Sequence, residues 1–185
     1  MNCTWPQNDA LMLQYHKEEW GTPVHDDKKH FEFLVLDCFQ AGLSWKTILH
    51  RRHHFKTAFA NFDVKKVAKF DESKVLELLQ NAGIIRNKLK ITGTIKNAKA
   101  FIEIQKEFGS FDTYIWQFVN HKTITNKPKL SSDIPANSKE SDAMSLALKK
   151  RGFTFVGSTI CYAYMQAAGM VNDHLITCEF YKRDL

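Results

Sequence analysis

Apolar residues recur three and four positions apart through most of the chain, the spacing that gathers them on one face of an α-helix. Sustained alternation of apolar and polar residues, the mark of a half-buried strand, is missing, so the pattern predicts an all-α fold. A helix is expected from an Asp9 cap to about Trp20, where Gly21, Thr22 and Pro23 break the chain. Asp26 or Asp27 opens a second, which ends at Gly42. Ser44 caps a third, from Trp45 to about Phe59. Further helices are expected at about 64–70, 73–81, 86–107, 111–120, 139–150 and 158–169. Residues 122–137 carry two prolines among polar residues and read as a loop. No repeat of solenoid length is present.

The stretch 33–36 is apolar on every side, as in a buried helix, and Asp37 follows it directly. A buried carboxylate needs donors or a cationic ligand to offset its desolvation. Trp5, Tyr15 and Trp45 lie in segments that can join it, although Trp and Tyr are also ordinary core residues. Asp37 can equally serve as a structural acceptor.

Near the C-terminal end, Gly152 and Gly157 bracket a short turn between a helix ending in Lys149, Lys150 and Arg151 and a helix beginning at Ser158 and Thr159. Unpaired N–H groups at a helix start, with positive charge beside them, suit a phosphate. An ordinary helix cap with a solvated basic end accounts for the same spacing. Arg51, Arg52, His53 and His54 read as a solvated basic face.

Cys3 and His16 stand near one end, and His174 and Cys178, spaced H-x3-C, near the other. On a helix the latter two share a face. Two thiolates and two imidazoles form a closed tetrahedral set suited to structural zinc, which would clip the beginning of the chain to its end. The alternative leaves Cys3 as a frayed terminal thiol and His16 as a surface residue. Cys38 and Cys161 read as buried small apolar residues.

The 185 residues fit one domain, expected over 1–185 with two helical lobes. A net charge of +6 favours polyanionic partners. No apolar run reaches the length of a membrane span, and Met1 and Asn2 begin no basic, apolar leader. A cytoplasmic location follows as an expectation, with the four cysteines reduced or metal-bound.

Several strings occur together: Cys-x-Trp at 3–5, Tyr-His at 15–16, Glu-Trp-Gly at 19–21, Gln-Ala-Gly-Leu-Ser-Trp at 40–45 and Ala-Gly-Ile-Ile-Arg at 82–86. Phe-Val-Asn-His at 118–121, Lys-Lys-Arg-Gly-Phe-Thr-Phe-Val-Gly-Ser-Thr-Ile-Cys-Tyr at 149–162 and Val-Asn-Asp-His at 171–174 complete the set. Together they resemble the 3-methyladenine DNA glycosylase I family of the helix-hairpin-helix superfamily, from Cys3 to Cys178. The resemblance implies a monofunctional base-excision enzyme acting on alkylated duplex DNA, with no redox or nucleotide cofactor. It implies a base pocket of Trp5, Tyr15 and Trp45 with Asp37 as the working carboxylate, and a wedge at Gly42 and Leu43. It also implies a hairpin at 152–157 gripping DNA with Lys149, Lys150, Ser158 and Thr159, and one structural zinc on Cys3, His16, His174 and Cys178. The enzyme is expected to act as a monomer, beside the nucleoid.

One position departs from the family: its pocket carboxylate is commonly Glu, and here it is the shorter Asp37. Cys38 and Phe39 replace the small and polar residues expected next. Asp173 is not assigned as a catalyst, and His121 is read as a structural hydrogen-bonding residue. Two other readings stand at this point. One is a DNA-binding module without chemistry; the other is a zinc hydrolase of another substrate class, which needs an open metal position.

Overall fold

The structure is a computed structural model describing residues 3–181, so the leading Met1 and Asn2 lie outside it. Helices dominate, and their starts follow local chemistry. α1 (Ala10–Glu18) begins where Asp9 accepts the Met12 N–H. α2 (Asp27–Gln40) begins where Asp26 accepts from Lys29, and α3 (Trp45–Leu49) where Ser44 accepts from Thr47. Each cap satisfies an N–H that the helix itself leaves unpaired.

The third expected helix is broken. α3 gives way at His50 and Arg51 to α4 (Arg52–Ala58). At the break the Arg51 guanidinium donates to the Ala82 and Gly83 carbonyls at 2.9 and 3.3 Å. A contact far along the chain therefore interrupts a locally good helix. α5 (Val64–Val67), α6 (Glu72–Gln80), α7 (Lys88–Phe108), α8 (Phe111–Trp116), α9 (Lys139–Lys150) and α10 (Ser158–Ala167) follow. All sit near their expected places.

The all-α expectation needs one correction. β1 (Ile124–Thr125) pairs in parallel with β2 (Val171–Asn172), in the register Ile124 to Val171 and Thr125 to Asn172. Two residues of strand are too short to show a period in sequence. Their effect is to tie the 122–137 loop to the chain just after α10.

α2 runs through the middle of the molecule and touches α3, α4, α7, α8 and α10. Phe31, Phe33, Leu36 and Phe39 on it are fully buried, which is why its apolar residues show no single face. Asp37 sits among them, 2% exposed. No described helix is long and apolar enough to cross a membrane.

Candidate active site

The last two turns of α2 carry Asp37 and Gln40 to the wall of a cavity of about 310 Å³. That volume is at the small end of ligand pockets. α1 contributes Tyr15 and, just past its end, Trp20. The start of α3 contributes Trp45, the N-terminal segment Trp5, α10 Ala163 and Gln166, and the 122–137 loop Ser131 and Ile134. Four residues expected from sequence, Trp5, Tyr15, Asp37 and Trp45, thus meet in one cavity. The other six wall residues were not foreseen, although Trp20 and Gln40 stand inside strings already noted.

The aromatic rings hold one another at angles. Tyr15 and Trp45 lie 5.0 Å apart with planes at 47°, and Trp5 meets Trp20 edge-on at 5.1 Å. Such pairs leave broad ring faces for a flat ligand. Three polar atoms of the lining residues are buried without a hydrogen-bond partner among the described residues: Trp5 Nε1, Trp45 Nε1 and Asp37 Oδ2. Native interiors rarely leave such atoms unmet, so the cavity is built for something that meets them. Burial alone pushes the Asp37 carboxyl well above the usual carboxylate range. Burial, then the nearby Asp37 charge, pushes the Tyr15 phenol up, so it stays neutral.

An ion network braces the elements behind Tyr15. Arg52 donates to both Glu19 oxygens at 2.6 and 2.7 Å and to Glu32 at 2.7 Å, while Lys29 reaches Glu19 at 2.8 Å. The basic face expected at 51–54 is therefore only half solvated: Arg51 and Arg52 turn inward, and His53 and His54 are exposed.

The ligating atoms of Cys3, His16 and Cys178 all lie within 4.8 Å of one another, and all three residues are buried. Cys3 is thus no frayed thiol and His16 no surface residue. Burial, with Cys178 beside it, pushes the Cys3 thiol up to about 11. Two thiolates this close repel unless a cation lies between them, so the donor set fits a soft divalent metal. His174 stands outside that group of three. Its ring lies 4.9 Å from that of His16, and its Nδ1 faces Asn172 Oδ1 at 2.8 Å, the sort of contact that orients a ligating histidine through its other nitrogen. The helical argument for His174 and Cys178 fails, because 173–181 runs through turns.

Between α9 and α10, Gly152 takes φ +89 and Gly157 caps α10. Lys149, Lys150 and Thr159 are exposed around the turn. Ser158 differs from expectation: its hydroxyl lies 2.8 Å from that of Ser141 and joins α9 to α10. Arg151 is likewise committed, donating to Glu107 at 2.6 and 2.9 Å and lying over the Phe108 and Tyr114 rings. Gly42 takes φ +78, where a side chain would be strained, and Leu43 beside it is 41% exposed.

Asp173 is not on the cavity wall. It is 1% exposed and accepts from Tyr162 Oη at 2.7 Å, Gln166 Nε2 at 2.8 Å and Asn126 Nδ2 at 2.7 Å. Held by three donors, it braces the 122–137 loop and α10. The His121 side chain is exposed and makes no hydrogen bond among the described residues, so a structural bonding role for it finds no support.

The family model for methyladenine glycosylases matches residues 5–182. The chain is 46% identical over 179 residues to "DNA-3-methyladenine glycosylase 1" of Escherichia coli K12, covering 97% of this chain and 96% of that protein. Among solved structures, one of 3-methyladenine DNA glycosylase I superposes with a TM-score of 0.95 at 43% identity, covering 97% of this chain and 99% of that one. A tyrosine-to-phenylalanine variant of 3-methyladenine DNA glycosylase I in complex with 3-methyladenine superposes with a TM-score of 0.93 at 30% identity, covering 96% and 95%.

Proposed function

The chain belongs to the methyladenine glycosylase family, and from that premise we propose that it excises 3-methyladenine from alkylated duplex DNA by hydrolysing the N-glycosidic bond of a flipped nucleotide. The observation that carries the reading is the set of unmet polar atoms, Asp37 Oδ2 and the Trp5 and Trp45 indole N–H groups, around an aromatic cavity. Methylation at N3 makes the purine cationic. A cation is attracted to ring faces by about 0.5–2 kcal/mol each. It also holds Asp37 ionised, against the burial that otherwise favours the proton. The carboxylate accepts from the exocyclic amine, and the indoles donate to the ring nitrogens or the sugar.

Because the base leaves as a neutral molecule, little acid catalysis is needed. Water attacks C1′ as the C1′–N9 bond breaks, and the protein's task is to hold the base and stabilise the positive sugar. Lys149, Lys150, Thr159 and the open N–H groups at the start of α10 grip a phosphate. Leu43 fills the space that the flipped base leaves. Cys3, His16 and Cys178, with His174 as fourth ligand, would hold a zinc ion that joins the N-terminal segment to the turns at 173–181. Such a closed site supplies structure and no reaction chemistry.

The test is chromatography of free base released from methylated duplex DNA. Wild type is expected to free 3-methyladenine. Binding of that DNA with no base released would leave only a DNA-binding module.

A further inference from the structure

Lys90, in the first turn of α7, is a cation that the repair reading leaves unused. It is 7% exposed, and no carboxylate pairs with it among the described residues. Its Nζ donates instead to two carbonyls, Phe39 O at 2.7 Å and Ala41 O at 2.6 Å. Hydrogen bonds from a charged donor at that length are strong ones. Both acceptors belong to the end of α2, where backbone carbonyls run out of helical partners. α2 has no basic residue of its own in its last turn. Lys90 therefore supplies, from another helix, the cation that a helix C-terminus favours.

The place it grips is the junction between pocket and wedge. Gln40, between the two bonded residues, lines the cavity, and Asp37 stands one turn earlier. Ala41 (φ −46, ψ 115) and Gly42 (φ +78) form a tight turn closed by the Leu43 N–H on Gln40 O at 2.6 Å. Leu43 projects from that turn. Were these carbonyls bonded to water, the turn would be free to swing. An ammonium buried beneath it fixes its direction relative to α2.

We propose that Lys90 is a positioning residue for nucleotide flipping, which locks the Gln40–Leu43 turn so that Leu43 enters the base stack in register with the cavity. This rests on the glycosylase reading with Leu43 as wedge. It separates two tasks: Lys90 serves entry into paired DNA, whereas recognition of the base belongs to Asp37 and the aromatic rings.

The experiment is a double-mutant cycle of Lys90→Met and Leu43→Ala, read by single-turnover release of 3-methyladenine. Two substrates are used, a fully paired duplex and the same lesion in an unpaired bubble. Binding of free 3-methyladenine, followed by tryptophan fluorescence, reports the pocket alone. Lys90→Met is expected to slow release from the duplex about tenfold or more, since a misplacement of about 1 Å can cost roughly 100-fold. Release from the bubble and affinity for the free base should stay within about threefold. Leu43→Ala should cost little more once Lys90 is gone, because the two act as one unit. Full duplex activity in Lys90→Met, losses that multiply in the double variant, or weakened binding of the free base would each overturn the proposal. If Lys90→Met does not fold, Lys90→Gln, which keeps a donor for one carbonyl, carries the same cycle. A wild type that frees no base from either substrate overturns the glycosylase reading itself, in a lane separate from the variants.

Discussion

Replacing Asp37 with Asn should make the protein more stable and much less active. Asp37 is 2% exposed, its Oδ2 meets no donor among the described residues, and burial alone displaces its proton affinity. Burying a polar group unmet costs roughly 1–3 kcal/mol on mutational scales. The neutral amide relieves the charge-specific part of that cost, and each kcal/mol recovered raises Tm by about 2–4 °C in a chain of this size. The folded pKa lies above the unfolded one, so the fold holds the proton where the unfolded chain has lost it. Stability from this group is complete below the ordinary carboxylate range and is lost as pH rises towards the folded pKa. The Tm advantage of Asp37→Asn should therefore be near zero at pH 4 and widen toward pH 8. Activity runs the other way. A hydrogen bond to a charged group contributes about 1.5–3 kcal/mol, so kcat/KM for 3-methyladenine release should fall by roughly 10- to 150-fold. Thermal melts from pH 4 to 8 and single-turnover base release measure the two effects on the same samples. A variant that is less stable at every pH and equally active would show Asp37 to be a structural acceptor, and the argument from its burial would be wrong.

Other consequences follow from the same geometry. His30 is fully buried between Tyr164 and Asp112, and burial, outweighing the Asp112 carboxylate, lowers its pKa below 6.5. Its contribution to stability is complete above about pH 6.5 and lost as pH falls, because the unfolded chain takes up the proton first; His30→Gln should flatten the acid limb of the melting curve. Arg52→Met leaves Glu19 and Glu32 without their main cation and should cost roughly 2–3 kcal/mol in urea unfolding, less than a fully buried pair would. No measurable loss would return Arg52 to the role of a solvated residue. Removing both Lys149 and Lys150 should weaken binding to any duplex equally and lower the salt-dependence slope by about 2; altered lesion preference would count against a phosphate role. Atomic absorption should find one zinc per chain, and a strong chelator or Cys178→Ser should lower Tm while adding metal back restores the chelated wild type. Metal-free protein with unchanged Tm would refute the zinc clip.

Much of this protein is decided within a few residues of each position. Asp9, Asp26 and Ser44 start helices because a side-chain oxygen reaches an N–H three residues on, a contact made within one turn. The strings around Trp5, Tyr15, Asp37 and Trp45 were legible because chemistry and residue type coincide there. Ser131, Ile134 and Gln166 were not, since an ordinary loop or helix residue becomes a wall only where the chain returns. Arg52 misleads for a related reason, and Lys90 carries no signal of its own. A basic residue on a helix is usually solvated, and nothing local tells that Glu19 and Glu32, or the open carbonyls of α2, will close over it. The break at His50 and the pairing of β1 with β2 were likewise set by partners 31 or more residues away. Sequence thus determined where hydrogen bonds form within a turn. Tertiary structure alone decided which charges are buried and which carbonyls they meet, because desolvation depends on what packs above a residue and not on what precedes it.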